Sequence, residues 1–295
     1  MMNIGKLGVW LSQEMISAAD AAAQARRIEA WGYGALWQPE AVGRNVLVHA
    51  GLLLANTTSL VVATGIANIY ARDPMACAAA QKTLAEASGG RFLLGLGVSH
   101  IPLVVGVRRH DYGKPVSTMR DYLAAMAASM YMAPAPAEKP PTVIAALGPK
   151  MLALSAEAAD GAHPYNVTPE HTERARVILG PGKRLCVEQM VLLETDAAKA
   201  RAAARRTLAI YLPLPNYANN WFTLGFTPDD VANGGSDRLI DAMVAWGDEA
   251  AIRARIQAHW DAGADHVCIQ PLSVSEDPAA PADERILELL APARN

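Results

Sequence analysis

Four times between residues 29 and 269 the chain passes from a helical stretch through glycine into a short apolar run. The junctions are Glu29-Ala30-Trp31-Gly32-Tyr33-Gly34-Ala35-Leu36-Trp37, then Glu86 to Leu94, Glu157 to His163, and Asp261 to Ile269. Glycine stops a helix in a left-handed turn, and the chain re-enters a sheet within a few residues. Junctions of one kind, spread over nearly the whole of 295 residues, predict a single continuously alternating β/α domain.

Apolar, β-branched runs place strands near 4–10, 34–37, 59–65, 91–96, 142–146, 161–164, 185–193 and 265–270. Alanine-rich amphipathic stretches place helices at 17–31, 46–55, 73–88, 116–130, 149–159, 168–178, 196–209 and 248–262, with a terminal helix at 283–291. Eight strands alternating with helices predict a (β/α)8 TIM barrel with insertions, one domain over 1–295. A doubly wound open sheet is the rival architecture. Residues 211–246 break the rhythm with Pro213, Pro215, Asn219-Asn220 and Gly234-Gly235, and read as an insertion of short helices. Pro134 to Pro141 reads as a surface linker.

The unit from Leu60 to His100 is the most complete. A strand ends in Gly65-Ile66-Ala67-Asn68, and Asp73-Pro74 opens a helix as N-cap and first helical residue. Gly89-Gly90 closes it, and a second strand ends in Gly97, Ser99 and His100. Both strands therefore carry glycine and polar atoms at their C-terminal ends, where parallel α/β folds bind ligands.

Composition narrows the class. At 52% hydrophobic the chain can bury a large core, yet no apolar run is long enough to span a membrane. The N-terminus runs directly into a strand, so no signal peptide is expected. Cys77, Cys186 and Cys268 sit far apart in apolar contexts and read as reduced cysteines of a cytoplasmic protein. A net charge of −3 argues against nucleic acid and leaves a small-molecule substrate as the expected partner.

Several motifs fail. Gly95-Leu96-Gly97-Val98-Ser99-His100 lacks the last glycine of a dinucleotide fingerprint, and Gly180-Pro181-Gly182-Lys183 is no phosphate loop. The histidines lack metal-ligand spacing, so no metal is expected, and no serine sits in a nucleophile elbow. Gly148-Pro149-Lys150 is more telling: a helix start with one lysine, after a strand, can hold an anion. The loops after strands two to five also carry Arg44, Arg72, Arg108, Arg109 and Lys114, which predicts a basic rim for an anionic ligand. Glu40, His100 and His163 stand at strand ends and are the candidates for proton transfer.

These residues resemble a family. Trp37-x-x-Glu40, the run Thr64 to Pro74, and Leu84 to Gly97 resemble the bacterial-luciferase-like flavin and deazaflavin oxidoreductases. Ala145-Ala146-Leu147-Gly148-Pro149-Lys150 with Ala159 to Tyr165 resembles the actinobacterial branch that uses coenzyme F420, an 8-hydroxy-5-deazaflavin. The resemblance is strongest over 30–165 and loose over 211–246. It implies a barrel, a homodimer, and cofactor at the C-terminal strand ends. It implies a non-prolyl cis peptide at Gly65-Ile66 backing the ring. It also implies coenzyme contacts from Asn68, Gly97, Val98 and Ser99, and ring-edge or phosphate contacts from Ala145, Ala146, Gly148, Pro149, Lys150, Gly161 and Ala162.

There are departures. The sugar-phosphate dehydrogenases of this branch carry an Asp-His pair where this chain has Glu40-Ala41, and a carboxylate where it has Val98. Sugar-phosphate oxidation is therefore disfavoured. The expected function is a coenzyme F420-dependent oxidoreductase moving a hydride between the deazaflavin C5 and a small organic substrate. The alternatives are an FMN-dependent monooxygenase on the same fold, a flavin-binding protein without turnover, and a barrel lyase or isomerase acting on a sugar phosphate.

Overall fold

The apolar runs that follow the glycine stops form strands, and every pairing between strands is parallel. The computed structural model describes residues 2–277 and 282–292. Its strands are β1 (Leu7–Trp10), β2 (Ala35–Gln38), β3 (Val61–Thr64), β4 (Ala67–Asn68), β5 (Phe92–Gly97), β6 (Thr142–Ile144), β7 (Gly161–Ala162), β8 (Arg184–Leu193), β9 (Val244–Gly247) and β10 (His266–Pro271). The helices flanking the first six strands are α1 (Ala18–Ala30), α2 (Val46–Ala55), α3 (Pro74–Ala87), α4 (Pro115–Ala128) and α5 (Pro149–Ala158). Then come α6 (Pro169–Leu179), α7 (Ala197–Leu208), α8 (Pro215–Thr223), α9 (Pro228–Val231), α10 (Asp237–Met243), α11 (Glu249–Asp261) and α12 (Glu284–Leu289).

Eight strands close a ring in the order β1-β2-β3-β5-β6-β7-β8-β10, sealed where β10 pairs with both β8 and β1. This is a (β/α)8 TIM barrel, and the open-sheet rival is excluded. Side chains alternate between the two faces of each strand. Trp37, Ala63, Leu93, Val143, Cys186 and Cys268 fill the interior. Leu36, Val62, Phe92, Leu94, Val187 and Ile269 face the helices. Both faces are dry, which is why the strands read as unbroken apolar runs.

Two strands lie outside the ring. β4 pairs Ala67 with Leu96 and Asn68 with Gly97, holding the loop after β3 against β5. β9 pairs with β8 from Met190 to Leu193, on the edge opposite β10. This corrects the expectation for 211–246: the insertion supplies α8, α9 and α10, but its end is a strand. Four residues with no period of their own become a strand because the exposed upper edge of β8 pairs with them. The insertion packs on that edge through Trp221, Leu239, Ile240 and Met243. Trp221 is wholly buried, and its Nε1 donates to Asn166 O at 3.2 Å. The insertion thereby covers the C-terminal mouth of the barrel.

Candidate functional site

A cavity of about 1420 Å³ opens at the C-terminal ends of the strands. Its floor is built by the β3 and β5 ends. The Gly65–Ile66 peptide is cis, and Trp10 Nε1 donates to Gly65 O at 2.8 Å. A Cβ on Gly65 would lie 2.8 Å from Trp10 Nε1 and 2.9 Å from His163 Nε2, so glycine is required there. A Cβ on Gly97 would lie 2.6 Å from Ile66 Cδ1, so that glycine leaves room for the Ile66 side chain in the cavity lining.

The lining contains Gly65, Ile66, Gly97, Val98, Ser99, Ala145, Ala146, Gly148, Pro149 and Lys150, together with Glu40, His100 and His163. Residues scattered over more than a hundred positions thus meet in one place. Gly148 caps α5 without a side-chain bond, so the helix start is open to a ligand. Lys150 has neither hydrogen-bond nor ion-pair partner among the described residues. Arg174 is the other cation of the lining, and its Nη1 donates to Thr223 O at 2.7 Å.

Three expected contacts lie off the lining. Gly161 faces the backbone of β8, where a Cβ would strike Arg184 O at 2.1 Å, and Ala162 is fully buried beside it. Asn68 is also fully buried. Its Oδ1 accepts from Tyr70 N at 2.9 Å, and its Nδ2 has no partner.

Three arginines of the expected basic rim are held by the protein itself. Arg72 forms a buried ion pair with Glu40. Arg44 donates to the carbonyls of Gln13 and Ile16, and Arg108 donates to Ala41 O at 3.0 Å. None of Arg44, Arg72, Arg108 or Arg109 lines the cavity. A guanidinium near backbone carbonyls finds them before it finds a ligand, and loop position alone does not reveal this.

Glu40 borders the cavity, but its carboxylate is occupied. Besides Arg72 it accepts from Asn68 N at 2.8 Å and from Val46 N at 3.4 Å. It ties the β3–α3 loop to β2. His163 lies inside the barrel, stacked on Trp37 with ring centroids 4.3 Å apart. Its Nδ1 donates to Cys186 O at 2.8 Å, while Nε2 is sealed beneath Gly65 without a partner. Burial pushes its pKa down to about 4, so the ring is neutral at pH 7. His100 packs against Tyr217 at 5.5 Å, and burial lowers its pKa as well.

An aromatic group unmarked in the sequence forms another wall. Tyr165, Tyr211 and Tyr217 all line the cavity, with Trp10 5.3 Å from Tyr165. Tyr165 and Tyr211 hydroxyls are 2.8 Å apart, and Tyr165 donates to Gln270 Oε1 at 2.8 Å. Among the described residues no group of three or more His, Cys, Asp and Glu could hold a metal ion, and no helix is long and apolar enough to cross a membrane.

Residues 2–266 match the family model described as luciferase-like monooxygenase. The chain is 27% identical to the "Putative coenzyme F420-dependent oxidoreductase Rv3520c" of Mycobacterium tuberculosis, across 88% of this chain and 92% of that one. Its fold is similar to the coenzyme F420-dependent tetrahydromethanopterin reductase of Methanopyrus kandleri, with TM-score 0.73, 18% identity and 97% of each chain covered. It is also similar to an F420-dependent secondary alcohol dehydrogenase in complex with an F420-acetone adduct, with TM-score 0.75, 16% identity, and 97% and 96% of the two chains covered.

Proposed function

The chain belongs to the luciferase-like monooxygenase family, and from that premise we propose that it is a coenzyme F420-dependent oxidoreductase. The observation that carries the reading is the cavity: about 1420 Å³, walled by an apolar floor on one side and an uncapped helix start with a free lysine on another. Ordinary small-ligand pockets measure about 300–1,000 Å³, so this one has room for a cofactor with a substrate beside it. Similarity to the "Putative coenzyme F420-dependent oxidoreductase Rv3520c" supports the same cofactor.

The residues present fit the deazaflavin. Ile66, packed against Gly97 and following the Gly65 carbonyl that Trp10 holds, offers an apolar surface for a planar ring. Lys150 and the α5 N-terminus would hold a phosphate, where the helix dipole and free N–H groups favour negative charge. When bound, the coenzyme supplies a carbon that gives or takes a hydride. The chain's part is to orient and to keep water out. His163 supports the floor as a neutral ring and has no open path to the cavity through Nε2. Glu40 fixes the loop that carries Asn68 and the cis peptide, which makes it a positioning residue. His100 joins the β5 loop to the insertion across the mouth. Homodimerisation and a cytoplasmic location belong to the proposal on the family resemblance, and sedimentation of the purified protein checks the first.

The test is turnover. Protein mixed with reduced coenzyme F420 and a panel of uncharged ketones and enones should reoxidise the coenzyme, followed by its return of visible absorbance. No reoxidation with any of them, and no reduction of oxidised coenzyme by the matching alcohols, would overturn the reading.

A further inference from the structure

Hydride transfer to a carbonyl also needs a proton for the oxygen. Glu40 is saturated with donors, and His163 Nε2 is sealed. The Tyr165–Tyr211 pair is a different kind of group. Both hydroxyls belong to cavity-lining residues, and Tyr165 packs on the indole that hydrogen-bonds the cis peptide. The pair is therefore joined, through Trp10, to the floor on which the cofactor ring would rest. Tyr165 spends its proton on Gln270, so at rest Tyr211 donates to Tyr165. Tyr211 is the end of the chain, and its O–H can swing to a ligand without breaking the Tyr165–Gln270 bond.

The geometry points to Tyr211, backed by Tyr165, as the proton donor to the oxygen of an uncharged carbonyl substrate. This rests on the cofactor assignment above. In the step, the carbonyl carbon takes a hydride from the reduced deazaflavin and is itself reduced. The C=O π pair takes the Tyr211 proton, so a C–H and an O–H bond form as the phenolic O–H breaks. Tyr165 then turns its own hydrogen to the tyrosinate across the 2.8 Å contact until solvent returns a proton. The neutral phenol is the form that gives the proton in the direction of carbonyl reduction. Burial favours the neutral phenols: it raises Tyr211 to about 12 and Tyr165 well above its ordinary value. Glu188, buried nearby, is itself raised to about 8 by burial and so carries little charge against a transient tyrosinate at pH 7.

The substrate class follows from the walls. The rings of Trp10 and Tyr217 pack on the pair, with Trp10 5.3 Å from Tyr165 and Tyr217 5.3 Å from Tyr211, and Leu214 packs in the same cluster as Tyr211. An uncharged ketone, aldehyde or enone finds there an apolar bed for its carbon skeleton and a hydroxyl donor for its oxygen.

The probe is 4-nitrophenol, whose neutral and ionised forms absorb at different wavelengths, titrated into protein free of cofactor. The parent should bind it and shift its spectrum toward the phenolate, because a donor site favours charge on oxygen. Tyr211→Phe should weaken uptake about tenfold or more and abolish the shift. Tyr165→Phe should keep uptake and halve the shift or more, a spectral effect that lost packing would not produce. Coenzyme F420 is titrated into each protein in parallel, and both variants should bind it as the parent does. If Tyr211→Phe binds the probe as tightly as the parent with the same spectrum, the donor assignment is wrong. If the parent shows the stated probe behaviour but fails to bind coenzyme F420, the cofactor reading fails and the oxygen site stands. Should Tyr211→Phe not fold, Tyr165→Phe decides: an unchanged spectrum overturns the relay.

Discussion

Glu40→Ala is expected to loosen the barrel rather than to remove a catalytic group. The Glu40 and Arg72 side chains are 3% and 9% exposed, so the substitution leaves a buried guanidinium without its counter-ion. Removing one partner of a buried pair costs about 3–5 kcal/mol. Within that, about 1.5–3 kcal/mol is the lost charged acceptor of Asn68 N. At roughly 2 °C per kcal/mol for a large domain, Tm should fall by ~6–10 °C. Arg72→Met alone should cost a similar amount, and Glu40→Ala with Arg72→Met should recover only the part due to the unpaired charge, because Asn68 N still lacks its acceptor. The assay is urea and thermal unfolding of the four proteins as a double-mutant cycle. The reasoning is refuted if Glu40→Ala unfolds within ~1 kcal/mol of the parent while turnover disappears, for that would make Glu40 a chemical group.

Other outcomes follow from the same geometry. Lys150→Glu should weaken coenzyme F420 binding about tenfold or more and leave Tm unchanged, since the lysine holds no partner in the protein; equal affinity would remove Lys150 from the phosphate site. Gly97→Val should fold yet bind the coenzyme poorly, because its side chain drives Ile66 up into the cavity; fluorescence titration against the parent checks it. Stability should fall as pH drops below about 6.5. His49, His163 and His266 are lowered to about 4 and His259 to about 3, so the unfolded chain binds their protons first. Their stabilisation is complete above 6.5 and is lost toward 4. Glu188, raised to about 8, works in the opposite direction between its ordinary value and 8. A urea midpoint that stays flat from pH 7.5 to 5 would contradict this.

Most of the barrel was legible because its signals are local. Glycine stops, the Asp73-Pro74 helix start and the apolar runs each specify structure within a few residues. β9 was not legible: Val244–Gly247 is a strand only because the far end of β8 offers it an edge. The site divides in the same way. Gly65, Gly97 and Gly148 mark strand ends, so their convergence follows from the fold. The tyrosine pair does not, since its members lie 46 residues apart and Gln270 lies 105 from Tyr165. Tyrosines after a strand and within an insertion were the available signal. Arg44, Arg72 and Arg108 misled because a loop charge says nothing of the carbonyl or carboxylate it will meet.

The choice of cofactor is decided by a paired titration of the purified protein with coenzyme F420 and with FMN in one buffer. Coenzyme F420 should bind saturably and more tightly than FMN, and Lys150→Glu should weaken that binding about tenfold or more. Tighter binding of FMN, unaffected by that substitution, would contradict it and place the protein with the FMN-dependent monooxygenases.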